Sequence, residues 1–127
     1  MTTPIETVTK FCAAWPDLDL DVLVAFFSED AVYHNIPIDP VVGRDAIRST
    51  IAGFTAGVKT VEFEVVHLIA DGPVVLTERI DRFTWPDGHT AVLPLMGAFE
   101  VHDGLITQWR DYFDMAQFMS QLPATGG

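Results

Sequence analysis

The sequence predicts an α+β fold, in which N-terminal helices pack on one face of a curved, mostly antiparallel sheet and enclose an apolar pocket. The first half of the 127-residue chain has apolar residues at helical spacing, whereas the second half has long runs rich in Val, Ile, Phe, Leu and Thr. Short turns containing Gly separate those runs, which is typical of hairpin connections. Helices followed by such a meander indicate one α+β domain.

Three helices and one short strand are predicted in the first half of the chain. The helices span residues 5–15, 19–27 and 44–56, and the strand spans residues 31–36. Pro16 forces the end of the first helix, and Gly57 closes the third. Asp19 or Asp21 is available as the N-cap of the second helix.

Four long strands and a brief helix are predicted in the second half. The strands span residues 59–70, 74–85, 90–102 and 105–113, and the helix spans residues 115–122. Asp71-Gly72, Pro86-Asp87-Gly88 and Asp103-Gly104 supply the turns. Residues 1–127 therefore form a single domain, with about 123–127 as a loose C-terminal tail.

Composition and charge exclude several classes of function. The hydrophobic fraction of 49% argues against a disordered chain. The net charge of −11 argues against binding to nucleic acid or to anionic membranes, since phosphate groups require a basic surface. Cys12 is the only cysteine, the N-terminus lacks an apolar signal segment, and no apolar run is long enough to span a membrane. A cytoplasmic location is predicted.

One predicted strand, VVLTERIDRF at residues 74–83, carries two charges on one face. Alternation places Arg79 and Asp81 beside Val75 and Phe83. If this face meets solvent, the two charges form an ordinary surface ion pair. If it meets the core, the pair requires a functional reason, because buried charges are costly.

The other strands add polar residues to faces that are otherwise apolar. Alternation places Tyr33 and Asn35 together on one face, and Asp111 between Trp109 and Phe113 on another. If these faces converge beneath the helices, an apolar cavity contains two carboxylates and one guanidinium. Such a group favours one ionised and one protonated aspartate, which act as general base and general acid. The four histidines show no metal-ligand spacing, and no Gly-rich phosphate loop is present, so neither a metal nor a cofactor is predicted.

Three motifs in this order resemble the limonene-1,2-epoxide hydrolase family. They are YHN at residues 33–35, ERID at residues 78–81 and WRDYFD at residues 109–114. The resemblance also covers GRDAI at residues 43–47 and the meander LPLMGAFEVHDGLITQWRDYFD. The family has a cone-shaped α+β fold similar to nuclear transport factor 2 and ketosteroid isomerase. The resemblance therefore implies hydrolysis of a small apolar epoxide to a vicinal diol in one step, without a covalent intermediate.

The resemblance also implies a role for each of five residues. Asp111 would deprotonate a water molecule that Tyr33 and Asn35 position, Asp81 would protonate the epoxide oxygen, and Arg79 would bridge the two aspartates. The substrate pocket is expected to be lined by Cys12, Trp15, Phe83, Leu93, Leu95, Phe113 and Phe118. A homodimer is expected from the family, with the epoxide and water as the other partners.

Two alternatives remain open at the level of the sequence. The same fold supports an isomerase or cyclase of the ketosteroid-isomerase type, although such chemistry has no use for an Arg between two aspartates. A non-catalytic pocket for an apolar ligand is the second alternative, although a binder would pack apolar residues more stably than a buried charged triad. Ligand that is bound and recovered unchanged would favour this second alternative. Turnover of an epoxide to a diol would exclude both.

Overall fold

The computed structural model describes residues 2–123, so the predicted loose tail lies outside the described residues except for Pro123. The helices are α1 (Pro4–Ala13), α2 (Leu20–Val24), α3 (Arg44–Phe54) and α4 (Met115–Met119). The strands are β1 (Phe27–Asn35), β2 (Val41–Val42), β3 (Thr60–Asp71), β4 (Val74–Thr84), β5 (Thr90–His102) and β6 (Leu105–Tyr112). No helix among these residues is long and apolar enough to cross a bilayer.

The strands form one mixed sheet in the order β2-β1-β6-β5-β4-β3. β1 runs parallel to β6, and every other neighbouring pair is antiparallel. Helix α1 packs against β3, β4, β5 and β6, and helix α3 packs against β1. The predicted α+β class is confirmed, with helices covering the inner face of an open, curved sheet.

The first helices end earlier than the sequence predicts. Pro16 does not simply stop a helix; it lies in a 3₁₀ turn at Trp15–Asp17, where its missing N–H removes no hydrogen bond. The second helix ends at Val24, and Phe27 instead opens β1 by pairing with Ile106. This long-range pairing outweighs the local helical spacing of the phenylalanines. Asp19 caps α2 as predicted, by accepting hydrogen bonds from the next turn.

A cluster of aromatic rings forms the core between α1 and the inner face of the sheet. Phe11 of α1 meets Trp109 of β6 edge to face, with ring centroids 5.0 Å apart. Trp109 in turn stacks on Tyr33 of β1 at 4.2 Å and on Phe99 of β5 at 5.6 Å. Trp109 therefore packs the core and fixes the neighbourhood of Asp111, two residues along the same strand.

Candidate active site

The inner face of β4 meets the core, so the charges on this strand require a functional account. Every second residue of the strand is buried from Val75 to Phe83, whereas Leu76 and Glu78 on the other face are exposed. The Arg79 side chain is fully buried, and only 3% of Asp81 is exposed. A surface ion pair is thereby excluded. Burying these ions is tolerable only if their hydrogen bonds are complete.

All five N–H donors of Arg79 are used. Nε and Nη2 donate to the two oxygens of Asp81 at 3.1 and 2.9 Å. Nη1 and Nη2 donate to Asp111 at 3.2 and 2.9 Å, and Nη1 also donates to Thr77 Oγ1 at 3.3 Å. The guanidinium carbon lies 4.5 Å from the centroid of the Phe63 ring. Two carboxylates, one hydroxyl and one aromatic face thus replace the water around a buried cation.

A glycine makes this bridge possible. Arg79 lies on β4 and Asp111 on β6, so the guanidinium must cross over β5, where Gly97 pairs with Asp111 on one side and Thr77 on the other. A Cβ atom at Gly97 would collide with Arg79 Nη1 and lie 2.7 Å from Asp111 Oδ1. The bare backbone at Gly97 is therefore what allows the two strands to share one ion cluster.

Asp111 accepts three side-chain hydrogen bonds, two from Arg79 and one from Trp109. Its Oδ1 accepts hydrogen bonds from Arg79 Nη1 and, at 2.7 Å, from Trp109 Nε1. Its Oδ2 accepts only the Arg79 Nη2 bond among the described residues. Since each carboxylate oxygen has about two acceptor sites, Oδ1 is filled and Oδ2 keeps one site free. Asn35 pairs with Asp111 across β1 and β6, and the Tyr33 hydroxyl donates to Asn35 Oδ1 at 3.2 Å.

The two aspartates of the cluster do not share the same surroundings. Burial raises the pKa of Asp81 to about 6, against the opposing effect of Arg79, which favours the ionised form. Burial alone would lower the pKa of Arg79, but Asp111 and Asp81 raise it well above its usual value, so the guanidinium stays charged. Burial also raises the pKa of Tyr33, so its hydroxyl remains a donor. The cluster therefore combines a permanent cation with a carboxyl group that can hold a proton near neutral pH.

An apolar cavity opens above the two aspartates. The cavity has a volume of about 450 Å³, part of which is open to solvent at its mouth. Its wall consists of Trp15, Tyr33, Asn35, Ile51, Phe54, Thr55, Phe63, Asp81, Phe83, Leu93, Leu95, Asp111, Phe113 and Phe118. Rings and aliphatic side chains dominate this wall, and its polar residues other than Thr55 belong to the ion cluster or to the Tyr33–Asn35 pair beside it.

Six of the seven residues predicted for the substrate pocket line this cavity, and Cys12 is not among its lining residues. Trp15 follows the end of α1 and stacks on Phe63 at 4.4 Å, which places its ring in the wall. Cys12 lies one turn earlier, where α1 packs against the sheet, and only 3% of it is exposed. Burial raises the pKa of the Cys12 thiol to about 12, so it stays neutral.

The structure brings together all five polar residues predicted for the site and adds three that sequence reasoning missed. Two of them, Thr77 and Trp109, form hydrogen bonds with the ion cluster. The third, Gly97, leaves room for it. Alternation placed these residues on inward faces but gave them only packing roles. A Gly inside an otherwise apolar strand was the one available signal, since it often marks a close approach. No group of three or more potential metal ligands occurs among residues 2–123.

Comparisons with known proteins find a matching family model and similar proteins. The family model described as the limonene-1,2-epoxide hydrolase catalytic domain matches residues 2–124. Epoxide hydrolase EphG of Mycobacterium tuberculosis is 38% identical over an alignment of 123 residues, which covers 91% of this chain and 76% of that protein. A solved structure of an LEH-like epoxide hydrolase from M. tuberculosis superimposes with a TM-score of 0.80 at 32% identity, covering 94% of this chain and 88% of that chain.

The fold alone is shared more widely. A protein described as a candidate polyketide cyclase from Xanthomonas campestris superimposes with a TM-score of 0.82, at 23% identity, covering 93% of this chain and 95% of that chain. At such identity the likeness concerns the architecture and not the chemistry.

Proposed function

The chain belongs to the limonene-1,2-epoxide hydrolase family, and we propose that it adds water to a small, apolar, terpene-like or cyclic epoxide to give a vicinal diol in one step. The observation that carries this proposal is the pair of buried aspartates bridged by Arg79 at the polar end of an apolar cavity. Epoxide opening needs a base for water and an acid for the ring oxygen at the same moment. The cluster supplies one carboxylate for each task.

Asp111 is the proposed general base, acting through Oδ2. Oδ1 is occupied by Arg79 and Trp109, so the remaining acceptor site on Oδ2 receives the proton of the attacking water. Since Asn35 Oδ1 accepts from Tyr33, the amide nitrogen of Asn35 is the donor available to hold that water. Water oxygen then forms a bond to one ring carbon while its proton moves to Asp111.

Asp81 is the proposed general acid. With a pKa of about 6, it keeps a proton in about half of the molecules at pH 6 and in about a tenth at pH 7. It gives this proton to the epoxide oxygen as the carbon–oxygen bond breaks. One proton has then passed from water to Asp111 and another from Asp81 to the product, so a proton must return from Asp111 to Asp81 before the next turnover. Arg79 stays charged throughout and hydrogen-bonds to both aspartates. It therefore limits the free-energy difference between the state with the proton on Asp81 and the state with the proton on Asp111.

The direct test combines an epoxide panel with matched carboxylate variants. Limonene oxide, cyclohexene oxide and styrene oxide are offered to the wild type, Asp81→Asn and Asp111→Asn, with Glu78→Gln on the exposed face of β4 as the control. Diol formation by the wild type and the control is expected, with a loss of about 10²–10⁴-fold in kcat for each Asn variant. Absence of diol from every epoxide, with a folded wild type, would contradict the proposal and favour an isomerase or cyclase.

A labelling experiment tests the single step. With enzyme in excess over epoxide in H₂¹⁸O, direct attack by water places the label in the diol during the first turnover. A covalent ester intermediate would instead transfer an unlabelled oxygen from a carboxylate to the diol. Unlabelled diol in the first turnover would therefore overturn the one-step mechanism while leaving epoxide hydrolysis intact.

We further propose a homodimer that forms through the outer face of the sheet. The centre of this face exposes large apolar side chains, including Leu76 (48%), Met96 (53%) and Tyr112 (48%). Ion pairs of Arg82 with Glu62 and Glu64 lie beside them. An apolar centre with a charged rim fits a second copy of the same surface. A monomer in sedimentation equilibrium at micromolar concentration would refute this assembly.

A further inference from the structure

The segment that follows β6 closes one side of the cavity. Phe118 of α4 is 5% exposed and belongs to the cavity wall. Its ring lies 5.4 Å from the ring of Phe83 on β4 and 6.0 Å from that of Phe54 on α3. Phe118 therefore connects the sheet side of the cavity to the helix side, and its position determines how much room remains between them.

The neighbouring part of β5 has an open edge, which one glutamine side chain covers. β6 pairs with β5 only from Met96 to His102 within the described register, so the first residues of β5 extend beyond it. There, Gln121 Nε2 donates to the Val92 carbonyl oxygen at 2.7 Å, and Gln121 Oε1 accepts from the Val92 N–H at 2.9 Å. The primary amide thus imitates the backbone of a pairing strand.

The segment is fixed at both of its ends. Asp114, at its start, accepts a hydrogen bond from the Gln117 N–H at 3.1 Å and caps α4. At the other end, His89 Nε2 donates to the backbone oxygen of Gln121 at 2.5 Å. Phe118 lies between these two anchors. A five-residue helix has little stability of its own, so the anchors and the burial of Phe118 hold it in place.

We propose that Gln121 is a positioning residue that sets the size of epoxide the site accepts, by holding Phe118 as a wall of the cavity. This inference rests on the proposed function for its substrate and on the contacts above for its mechanism. Two neutral hydrogen bonds of ordinary strength correspond to about a five- to hundredfold shift in the ratio of closed to open segment. Loss of the Gln121–Val92 bonds lets Phe118 move and widens the cavity. Small epoxides then bind more weakly, and large epoxides meet less steric hindrance.

Steady-state kinetics of matched variants test this role. Gln121→Ala removes both bonds to Val92, together with the 3.1 Å bond from Nε2 to the Gln117 carbonyl oxygen within the segment. Gln121→Glu keeps the shape of the side chain but replaces the Nε2 donor. Gln117→Ala, at an exposed position of the same helix, is the control. In both Gln121 variants, the ratio of kcat/KM for limonene oxide to that for cyclohexene oxide should rise about tenfold, mainly through KM. The pH profile should not change. Equal losses on both epoxides would indicate a merely structural role and overturn the proposal.

Two readouts separate this proposal from the proposed function. Backbone hydrogen exchange over residues 115–122 should accelerate in the Gln121 variants and stay unchanged in Gln117→Ala. Binding of cyclohexanol and of the larger decahydro-2-naphthol, followed by tryptophan fluorescence, should shift toward the larger alcohol. Failure of every epoxide to turn over would refute the proposed hydrolase function but not the role of Gln121, since hydrogen exchange and alcohol binding require no turnover. Unchanged exchange and an unchanged binding ratio would refute the role of Gln121 even in an active hydrolase.

Discussion

The two faces of β4 carry similar charges in opposite environments. On the inner face, Arg79 is fully buried, donates five hydrogen bonds and bridges two aspartates. On the outer face, Arg82 forms ion pairs with Glu62 and Glu64, whose side chains are 62% and 48% exposed. Water screens the outer pairs and limits their contribution to stability. The stretch ERIDR therefore contains one functional ion cluster and one ordinary surface cluster, and only the direction of each side chain distinguishes them.

Neutralising each arginine in turn tests this contrast with the largest expected effect. Arg79→Met leaves two buried carboxylates without their cation and should lower the free energy of unfolding by about 3–5 kcal/mol at pH 7. Arg82→Met, at the rim of the proposed dimer surface, should lower the free energy of unfolding by less than about 1 kcal/mol. Urea unfolding of both variants measures the difference. Equal losses in the two proteins would show that burial does not decide the value of these charges.

The space that the inner cluster requires is tested by a pair of glycine variants. Gly97→Ala places a methyl group against Arg79 and Asp111 and should reduce kcat/KM for an epoxide about 10²-fold, because it displaces the proposed catalytic groups. Gly53→Ala, on the exposed side of α3, has no atom within 4 Å of the new methyl group and should leave turnover unchanged. Full activity in Gly97→Ala would mean that the bridge tolerates rearrangement.

The pH dependence of activity gives a smaller effect that also belongs to the inner face. Burial raises the pKa of Asp81 to about 6, and the proposed acid acts in its protonated form. The value of kcat/KM should therefore fall as pH rises above about 6, approaching tenfold per pH unit. In Glu78→Gln, which changes only the outer face, the descending limb should have the same midpoint. A profile that stays flat from pH 6 to 9 would remove Asp81 from the role of acid.

The same protonation affects folding, with the sign set by the direction of the shift. Folding raises the pKa of Asp81 from 3.8 to about 6, so the folded protein binds the proton more tightly than the unfolded chain. The stabilisation that the Asp81 proton gives to the fold is fully present below pH 3.8, the unfolded pKa, and is lost as pH rises to the folded pKa of about 6. It amounts to about 3 kcal/mol. Asn does not titrate, so the free energy of unfolding of Asp81→Asn minus that of the wild type should increase as pH rises from 4 to 7. Urea unfolding of both proteins at each pH measures this difference.

The hydrophobic periodicity of the sequence predicted those features that depend only on which face of a strand a residue occupies. The inward positions of Arg79 and Asp81 follow from alternation, which holds along the whole of β4. On β6 alternation holds only from Trp109 to Asp111, since Ile106 is buried out of step with them. The long strands were also predicted within one or two residues, since hairpin turns set their ends. The class and the polar end of the cavity could thus be inferred before any contact was known.

Other features depend on contacts between distant residues and could not be predicted. The two-residue strand β2 exists only because Val41 and Val42 pair with β1. Trp109 donates a hydrogen bond to Asp111 only because the strand turns both side chains to the same side. Cys12 and Trp15 are three residues apart, and helical spacing alone did not show that the helix ends between them. The roles of the site residues and the cytoplasmic location stay predictions.

The parallel pairing of β1 with β6 has a consequence for how the protein folds. Asn35 faces Asp111 across this pair, so the polar site joins residues from the first third and the last fifth of the chain. The hairpins of β3 to β6 can form from near neighbours, but this pairing must close a longer loop than any other strand pairing in the described sheet. During synthesis the pocket cannot be completed until β6 has left the ribosome. We therefore expect ligand binding to appear in the last kinetic phase of refolding, after most of the secondary structure has formed.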